Sequence, residues 1–352
     1  MSAPAWDRAR RILCVRLDNL GDVLMTTPAL RALKESGDGR HLTLLTSSTA
    51  AALGAHLPMV DDVWTYDAPW VKHPDAPADP VADLDMIDRL LSARFDAAVI
   101  FTVYSQSPLP AAMMCWLAGI PLRLAHCREN PYRLLTDRVA ETEPDQQVRH
   151  EVARQLALVR TIGAKTADWR MAFEPGDAAR RAVQARLRAA LQRFGGPRRG
   201  DAVCERIGPR ALPLAGTLPL GELGALIETA DLLLSNNSGP AHLAAALGTP
   251  VVDLYALTNP QHTPWRVPHR VLNVDVPCRN CYRSVCEQPG HPCLRGVRVD
   301  DVVDAAHALL RGNARGARHA GARAAAASDT SLAGSAAGAS NVIPFAHVIT
   351  RS

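Results

Sequence analysis

The chain has 352 residues, 47% of them hydrophobic and 21% charged, with a formal net charge of +4. That length suggests two domains, and that balance suits a soluble globular protein with a full core. Aromatic residues at 5% exclude a stacking platform for single-stranded nucleic acid, and the mild positive charge fits an anionic partner without arguing for nucleic acid. No run approaches the roughly 20 apolar residues of a membrane-spanning helix.

Residues 12–17 form a short β-rich run, interrupted by Arg16 and stopped at Asp18. It reads as a strand rather than a leader peptide. A turn over 18–21 follows, and 22–34 reads as a helix in which Pro28 should force a turn or kink. Strands are expected at 41–46, 61–66 and 97–101, with a helix at 83–94 before the last of them. Strands alternating with helices indicate an α/β domain with a parallel sheet. Residues 66–80, rich in Pro, Asp and Ala from position 70, read as a long surface loop of the kind that carries function. An amphipathic helix over 148–162 closes the first domain. Farther on, 178–194 is a helix candidate, 231–235 a strand, 239–247 a helix, 250–255 a strand and 299–310 a closing helix. From Gly312 onward the Ala-, Gly- and Ser-rich sequence cannot offset its ordering entropy and is expected to be disordered.

Two motifs carry chemistry. The first joins Arg16, the turn Asn19-Leu20-Gly21-Asp22 and the helix start through Thr26, Thr27, Pro28 and Leu30. It brings backbone N–H groups and a carboxylate to the C-terminal edge of a sheet, where ligands bind in open α/β sheets. Asp22, near a helix N-terminus, is favoured in its charged form and could accept a proton from an attacking hydroxyl. The plainer role for Asp22 is an N-cap. The second motif runs from Leu234 to Pro250 and includes Asn237, Ser238, Gly239 and His242. A strand end, a small polar turn and a helix start leave N–H groups open to a diphosphate. Ordinary capping by Asn237 or Ser238, with His242 on the surface, is the plainer account.

With both motifs in this order, the sequence resembles glycosyltransferase family 9, the family of the lipopolysaccharide heptosyltransferases. The Leu-Gly-Asp turn and Thr-Pro-Ala-Leu helix are matched between Leu20 and Leu30, and the Ser-Gly-Pro-x-His-Leu-Ala-Ala-Ala turn between Asn237 and Ala246. The stretch from Asp253 to Trp265 and the cysteines after it resemble a variant of the same family. The resemblance implies an α/β fold of GT-B type, with two Rossmann-like domains facing a cleft. It divides the chain into an acceptor-side domain at 10–168, a donor-binding domain at 169–312 and a tail at 313–352. It also implies inverting transfer of heptose from an ADP-heptose donor to a lipopolysaccharide core acceptor, without a catalytic cofactor. Asp22 matches the family's general base in the Asn19–Gly21 turn. Asn237, Ser238, Gly239 and His242 match donor-binding positions, and the acceptor is expected near the 66–80 loop. The location implied is cytoplasmic, peripheral to the inner face of the inner membrane.

The match departs from the family in two places. Asn237 stands where the family usually has an acidic residue. Between Pro175 and Arg210 nothing resembles the family's His-Pro-Gly-Ala-type turn, so the second domain is expected to lack its first strand–helix unit. The pattern resumes at Leu212. An incomplete donor half opens a second functional class, a catalytically impaired relative kept as a binding or scaffold protein. A nicotinamide-dependent oxidoreductase is disfavoured, because the 17–22 turn lacks the GxGxxG spacing.

Four of the eight cysteines, Cys278, Cys281, Cys286 and Cys293, cluster with His291 nearby. Short Cys spacing of this kind can hold a structural zinc, and a loop of reduced thiols is the alternative. Without an export signal the remaining cysteines are expected as reduced thiols, with Cys14, Cys115 and Cys127 as small core residues. Arg123 and Arg133 are candidates to meet an anionic acceptor. His262 and Trp265 are candidates to line the cleft, with loop anchoring as the alternative for Trp265.

Overall fold

The computed structural model describes residues 3–71, 79–192, 206–207, 211–283 and 285–326. The chain divides into two compact units. The first comprises Met1–Glu174 and Pro260–Trp265, and the second comprises Pro175–Asn259 and Arg266–Ser352. The first unit therefore runs six residues past the boundary at 168 and takes in a short later segment. It also includes an opening helix, α1 (Ala3–Trp6), whose Trp6 is fully buried and donates to Asp137.

In the first unit β1 (Arg11–Arg16), α2 (Leu20–Glu35), β2 (His41–Thr46) and β3 (Asp62–Thr65) come first. They are followed by α3 (Pro80–Ala93), β4 (Ala97–Ile100), α4 (Leu109–Leu117), β5 (Leu122–Cys127), β6 (Asp137–Ala140) and α5 (Glu151–Arg160). The strand order is β3-β2-β1-β4-β5-β6 and every pairing is parallel. This is the doubly wound order, in which the winding reverses between β1 and β4. The near-continuous apolar character of β1 and β4 follows from burial on both faces. α3 and α4 cover one face around Met86, Leu90, Ala112 and Cys115. α2 packs against α5, which explains why nearly every residue from Val23 to Leu33 is buried.

Pro28 does not break α2. A helical proline frees the carbonyl four residues back, here that of Leu24, and the Thr27 hydroxyl donates to it at 2.7 Å. Thr27 Oγ1 in turn accepts from the Ala172 N–H at 2.9 Å. The neighbouring Thr26 hydroxyl bonds the Asp22 carbonyl at 2.8 Å. The helix thus runs continuously through Pro28, with the orphaned carbonyl satisfied by a side chain.

The second unit holds α6 (Asp177–Gln192), α7 (Leu220–Thr229), β7 (Leu233–Asn236), α8 (Gly239–Leu247), β8 (Val251–Leu254) and β9 (His269–Leu272). A short α9 (Pro292–Arg295) and a long α10 (Val299–Ala326) close it. The sheet is parallel in the order β7-β8-β9. Among the described residues no strand precedes β7 in this unit; residues 193–205 and 208–210 lie outside them. Leu232, Val252, Ala305, Ala306 and Leu309 join strands to α10 in one apolar cluster, and Val183, Ala225 and Leu226 join α6 to α7 in another.

α10 continues to Ala326, past Gly312, where disorder was expected to begin. Alanine and arginine dominate this stretch, and both favour helix strongly enough to carry two glycines at about 1 kcal/mol each. Residues 327–352 of the expected tail lie outside the described residues.

Candidate active site

The C-terminal ends of β1 and β4 form the switch point of the first sheet. The chain leaves β1 through Asp18, and Asn19 caps α2 in an extended conformation with φ −79°. Asp22 therefore stands three residues inside the helix and is not its N-cap. Its Oδ2 accepts from the Asn19 N–H at 3.2 Å, the carboxylate half of a capping box. Its Oδ1 accepts from Arg16 at 3.2 Å. The side chain remains 15% exposed, so one carboxylate is fixed by two donors and still reaches solvent.

Arg16 organises the rest. Its side chain is fully buried and lies 3.0 Å from Asp18, 3.2 Å from Asp22 and 3.1 Å from Glu151. Burial disfavours the guanidinium charge, but Asp18, Glu151 and Asp22 outweigh it and leave Arg16 firmly protonated. Burial pushes the Asp18 carboxyl above the ordinary carboxylate range, against the pull of Arg16. Gln106 donates to Asp18 Oδ1 at 2.7 Å. Burial also works to raise Glu151, but Arg16 and Arg154 hold it below its ordinary value.

A row of buried charge continues from there. Arg154 lies 3.8 Å from Glu151 and also pairs with Glu141. Glu143 pairs with Arg149 at 2.6 Å and accepts from Gln261 of the returning segment. Gln155 donates to Glu151 Oε1 and to the Thr102 carbonyl, at 2.6 and 2.9 Å, while Glu151 Oε2 is buried without a hydrogen bond. Beside this row a polar pocket opens among Gln106, Ser107, His126, Arg128, Glu129 and Glu141. Burial, and then Arg154, push His126 down to about 4, so its imidazole is neutral.

In the second unit the β7–α8 turn holds the other motif. Ser238 is the N-cap of α8, but its side chain makes no cap hydrogen bond. Its hydroxyl turns back to the Asn236 carbonyl at 3.2 Å. The Asn237 N–H donates to Leu254 at 3.3 Å, while its side-chain oxygen is buried without a hydrogen-bond partner. Capping by either side chain therefore does not account for this turn. The helix N-terminus keeps the character that suits an anion. His242 lies in the first turn and is 5% exposed, so it is not a surface residue. On the central strand, Asp253 is fully buried with neither oxygen hydrogen-bonded, and burial raises it to about 7.

Other candidates fall elsewhere. Arg123 is buried and spends its guanidinium on the carbonyls of Ile120, Leu134 and Arg133. It braces the β5–β6 connection instead of meeting an acceptor. Arg133 is exposed. Trp265 donates to the Trp169 carbonyl at 2.7 Å and lies 4.3 Å from the His150 ring, which anchors its segment to the first unit. The His262 Nε2 is buried in the same segment. Within the 66–80 loop, the Tyr66 hydroxyl donates to Asp83 and its ring lies 5.8 Å from Trp70; residues 72–78 lie outside the described residues. Among the described residues no three His, Cys, Asp or Glu side chains are arranged to hold a metal ion. Cys278, Cys281 and Cys286 are half-buried, and Cys293 is buried on α9. The Cys286 thiol turns to the Gln288 carbonyl. Among the described residues no helix is long and apolar enough to cross a membrane.

Glu151, Arg154, Gln106 and Asp18 were not legible as site residues. The first two come from a helix that reads only as an amphipathic closing element, and nothing local ties them to the Asp22 turn. Asp18 was missed although the sequence places it two residues after Arg16 and four before Asp22.

Residues 194–291 match the family model of glycosyltransferase family 9 (heptosyltransferase). The lipopolysaccharide core heptosyltransferase OpsX of Haemophilus influenzae is 54% identical over 50 residues, 14% of each chain. Lipopolysaccharide heptosyltransferase 3 of Escherichia coli is 45% identical over 58 residues, 16% of each. These alignments span only about a sixth of the curated relatives. Solved structures extend the likeness. A family 9 glycosyltransferase from Veillonella parvula superposes with a TM-score of 0.66 at 19% identity, covering 86% of this chain and 98% of that one. The E. coli ADP-heptose lps heptosyltransferase II gives 0.60 at 20% identity, with 86% and 99% covered. At that identity the structures speak for the fold, which is α/β of GT-B type with two Rossmann-like units. The family match takes in the Leu234–Pro250 motif, so residues 194–291 are similar to glycosyltransferase family 9, the heptosyltransferase family.

Proposed function

We propose that this chain is an inverting glycosyltransferase that moves a heptose from an ADP-heptose-type donor to a lipopolysaccharide core acceptor. The observation that carries this reading is the Asp22 carboxylate at the sheet's switch point, fixed by Arg16 and the Asn19 N–H and still open to solvent. Asp22 accepts the proton of an acceptor hydroxyl as that oxygen attacks the anomeric carbon. The bond from that carbon to the diphosphate breaks, and the nucleoside diphosphate leaves with the electron pair. A positioned carboxylate base contributes about 10²–10⁴ in rate.

The uncapped N-terminus of α8, with Asn237, Ser238, Gly239 and His242, is the donor diphosphate site. Backbone N–H groups and the helix dipole stabilise charge developing on the leaving group. The polar pocket beside Asp18 and Gln106 suits the acceptor sugar, with Arg128 for an anionic substituent. The scheme needs no cofactor, and Cys278, Cys281, Cys286 and Cys293 stay outside it. Work on a lipopolysaccharide core belongs at the cytoplasmic face of the inner membrane, and peripheral contact there is part of this proposal.

A thermal-shift titration with ADP-heptose, ADP and control nucleotides tests the donor half. A ligand at about a hundred times its dissociation constant adds roughly 2.7 kcal/mol. A shift specific to the adenine nucleotides supports the reading. A cooperative melt that no nucleotide moves overturns it.

A further inference from the structure

We infer that Glu151 is a positioning residue for Asp22 and acts on it through the Arg16 guanidinium. This rests on the assignment of Asp22 as the base. One guanidinium contacts Asp22 through Nη2 and Glu151 through Nη1, at 3.2 and 3.1 Å, while its Nε faces Asp18. A lone arginine beside a general base would hold that carboxylate anionic and make it a poor proton acceptor. Glu151 offsets that field from the far side of the same planar group.

The geometry keeps this arrangement fixed. Glu151 opens α5 and is fully buried. The helix N-terminus favours its negative charge, and Gln155 holds Oε1 at 2.6 Å. Other charged groups bear on the same carboxylate. Arg154 lies 3.8 Å away, and His262 comes close from the returning segment. Arg154 is itself paired with Glu141, which lines the polar pocket. The row Asp22–Arg16–Glu151–Arg154–Glu141 thus alternates in sign from the catalytic turn to the pocket. Glu151 is the member that balances Arg16 without reaching solvent or substrate.

The test compares the full chain with Glu151→Gln, Glu151→Asp and, as a packing control on the same helix, Leu156→Ala. Glu151→Gln keeps the shape and removes the charge. It should lower kcat about three- to tenfold, leave KM for the donor unchanged, and move the acid limb of the pH–rate profile to lower pH. Glu151→Asp should restore most of the profile. Leu156→Ala should lower Tm and leave the profile where it was. The ¹³C-carboxyl titration curve of Asp22, followed by NMR, should move to lower pH in Glu151→Gln and needs no turnover. A curve that does not move, or one that Leu156→Ala moves equally, overturns the inference. An unmoved curve with transfer intact leaves the glycosyltransferase reading standing. A moved curve without transfer in the wild-type protein leaves the coupling standing and removes the function.

Discussion

Arg16 and Glu151 stand 135 residues apart in sequence, yet their side chains meet at 3.1 Å with neither exposed to solvent. The contact ties the end of β1 to the start of α5 directly beneath the Asp22 turn. Removing one partner of a buried pair leaves an uncompensated charge and typically costs about 3–5 kcal/mol. Arg16→Leu therefore strands three carboxylates. It should unfold the first unit or lower its melting temperature sharply, as differential scanning calorimetry would record. Arg16→Lys keeps the charge but loses the planar fork that serves three acceptors at once. It should fold and lose activity.

Thr27 is the second structural test. Its hydroxyl satisfies the Leu24 carbonyl that Pro28 orphans, and its oxygen holds the Ala172 N–H. Thr27→Val conserves shape and leaves both buried groups unmet. Each unsatisfied group costs about 1–3 kcal/mol, so denaturant unfolding should show a loss of at least that size. Thr27→Ser should recover most of it. A Val variant as stable as wild type would mean that Pro28 is accommodated some other way.

The strands and helices around these residues were largely legible. The 41–46 strand and the 239–247 helix appear at their expected bounds, because an apolar run between turn residues and a Gly-Pro start with a Gly stop are strong local signals. β5, β6, β9, α4 and α7 were not marked out. β6 and β9 are short and only half-buried, so no apolar period announces them. The two motif turns could be placed from sequence, but their partners could not. Asp22 carries no local sign that Arg16 is shared with a glutamate on α5. Arg123 reads from sequence like any surface arginine until the carbonyls of the β5–β6 connection close around it.

Ser238 separates a capping role from a donor role at α8. Aspartate caps helices as well as serine does, so Ser238→Asp should leave Tm unchanged or higher. The added negative charge should repel a diphosphate and weaken ADP binding at least about tenfold, or 1.4 kcal/mol, by isothermal titration calorimetry. Unchanged ADP affinity would place the diphosphate elsewhere.

Asp253 makes stability depend on pH. Burial raises its carboxyl from 3.8 to about 7 in the folded state. Between those values the folded chain holds a proton that the unfolded chain has released. Stability therefore falls as pH rises through that window and stays reduced above it. Three pH units correspond to roughly 4 kcal/mol. Asp253→Asn should raise the Tm of the second unit at pH 8 and raise it far less at pH 5. An equal shift at both values would show that the carboxyl finds a partner.

Heptose transfer itself is read most directly as acceptor-dependent ADP release. Purified protein is supplied with ADP-heptose and a heptose-free lipopolysaccharide core, alongside Asp22→Asn. The wild-type chain should release one ADP for each heptose transferred, with the product inverted at the anomeric carbon. Asp22→Asn should still bind ADP and lose at least about a hundredfold in kcat. A cooperatively folded wild-type protein that binds ADP but releases none with acceptor present, or an Asp22→Asn variant with full turnover, would contradict the assignment.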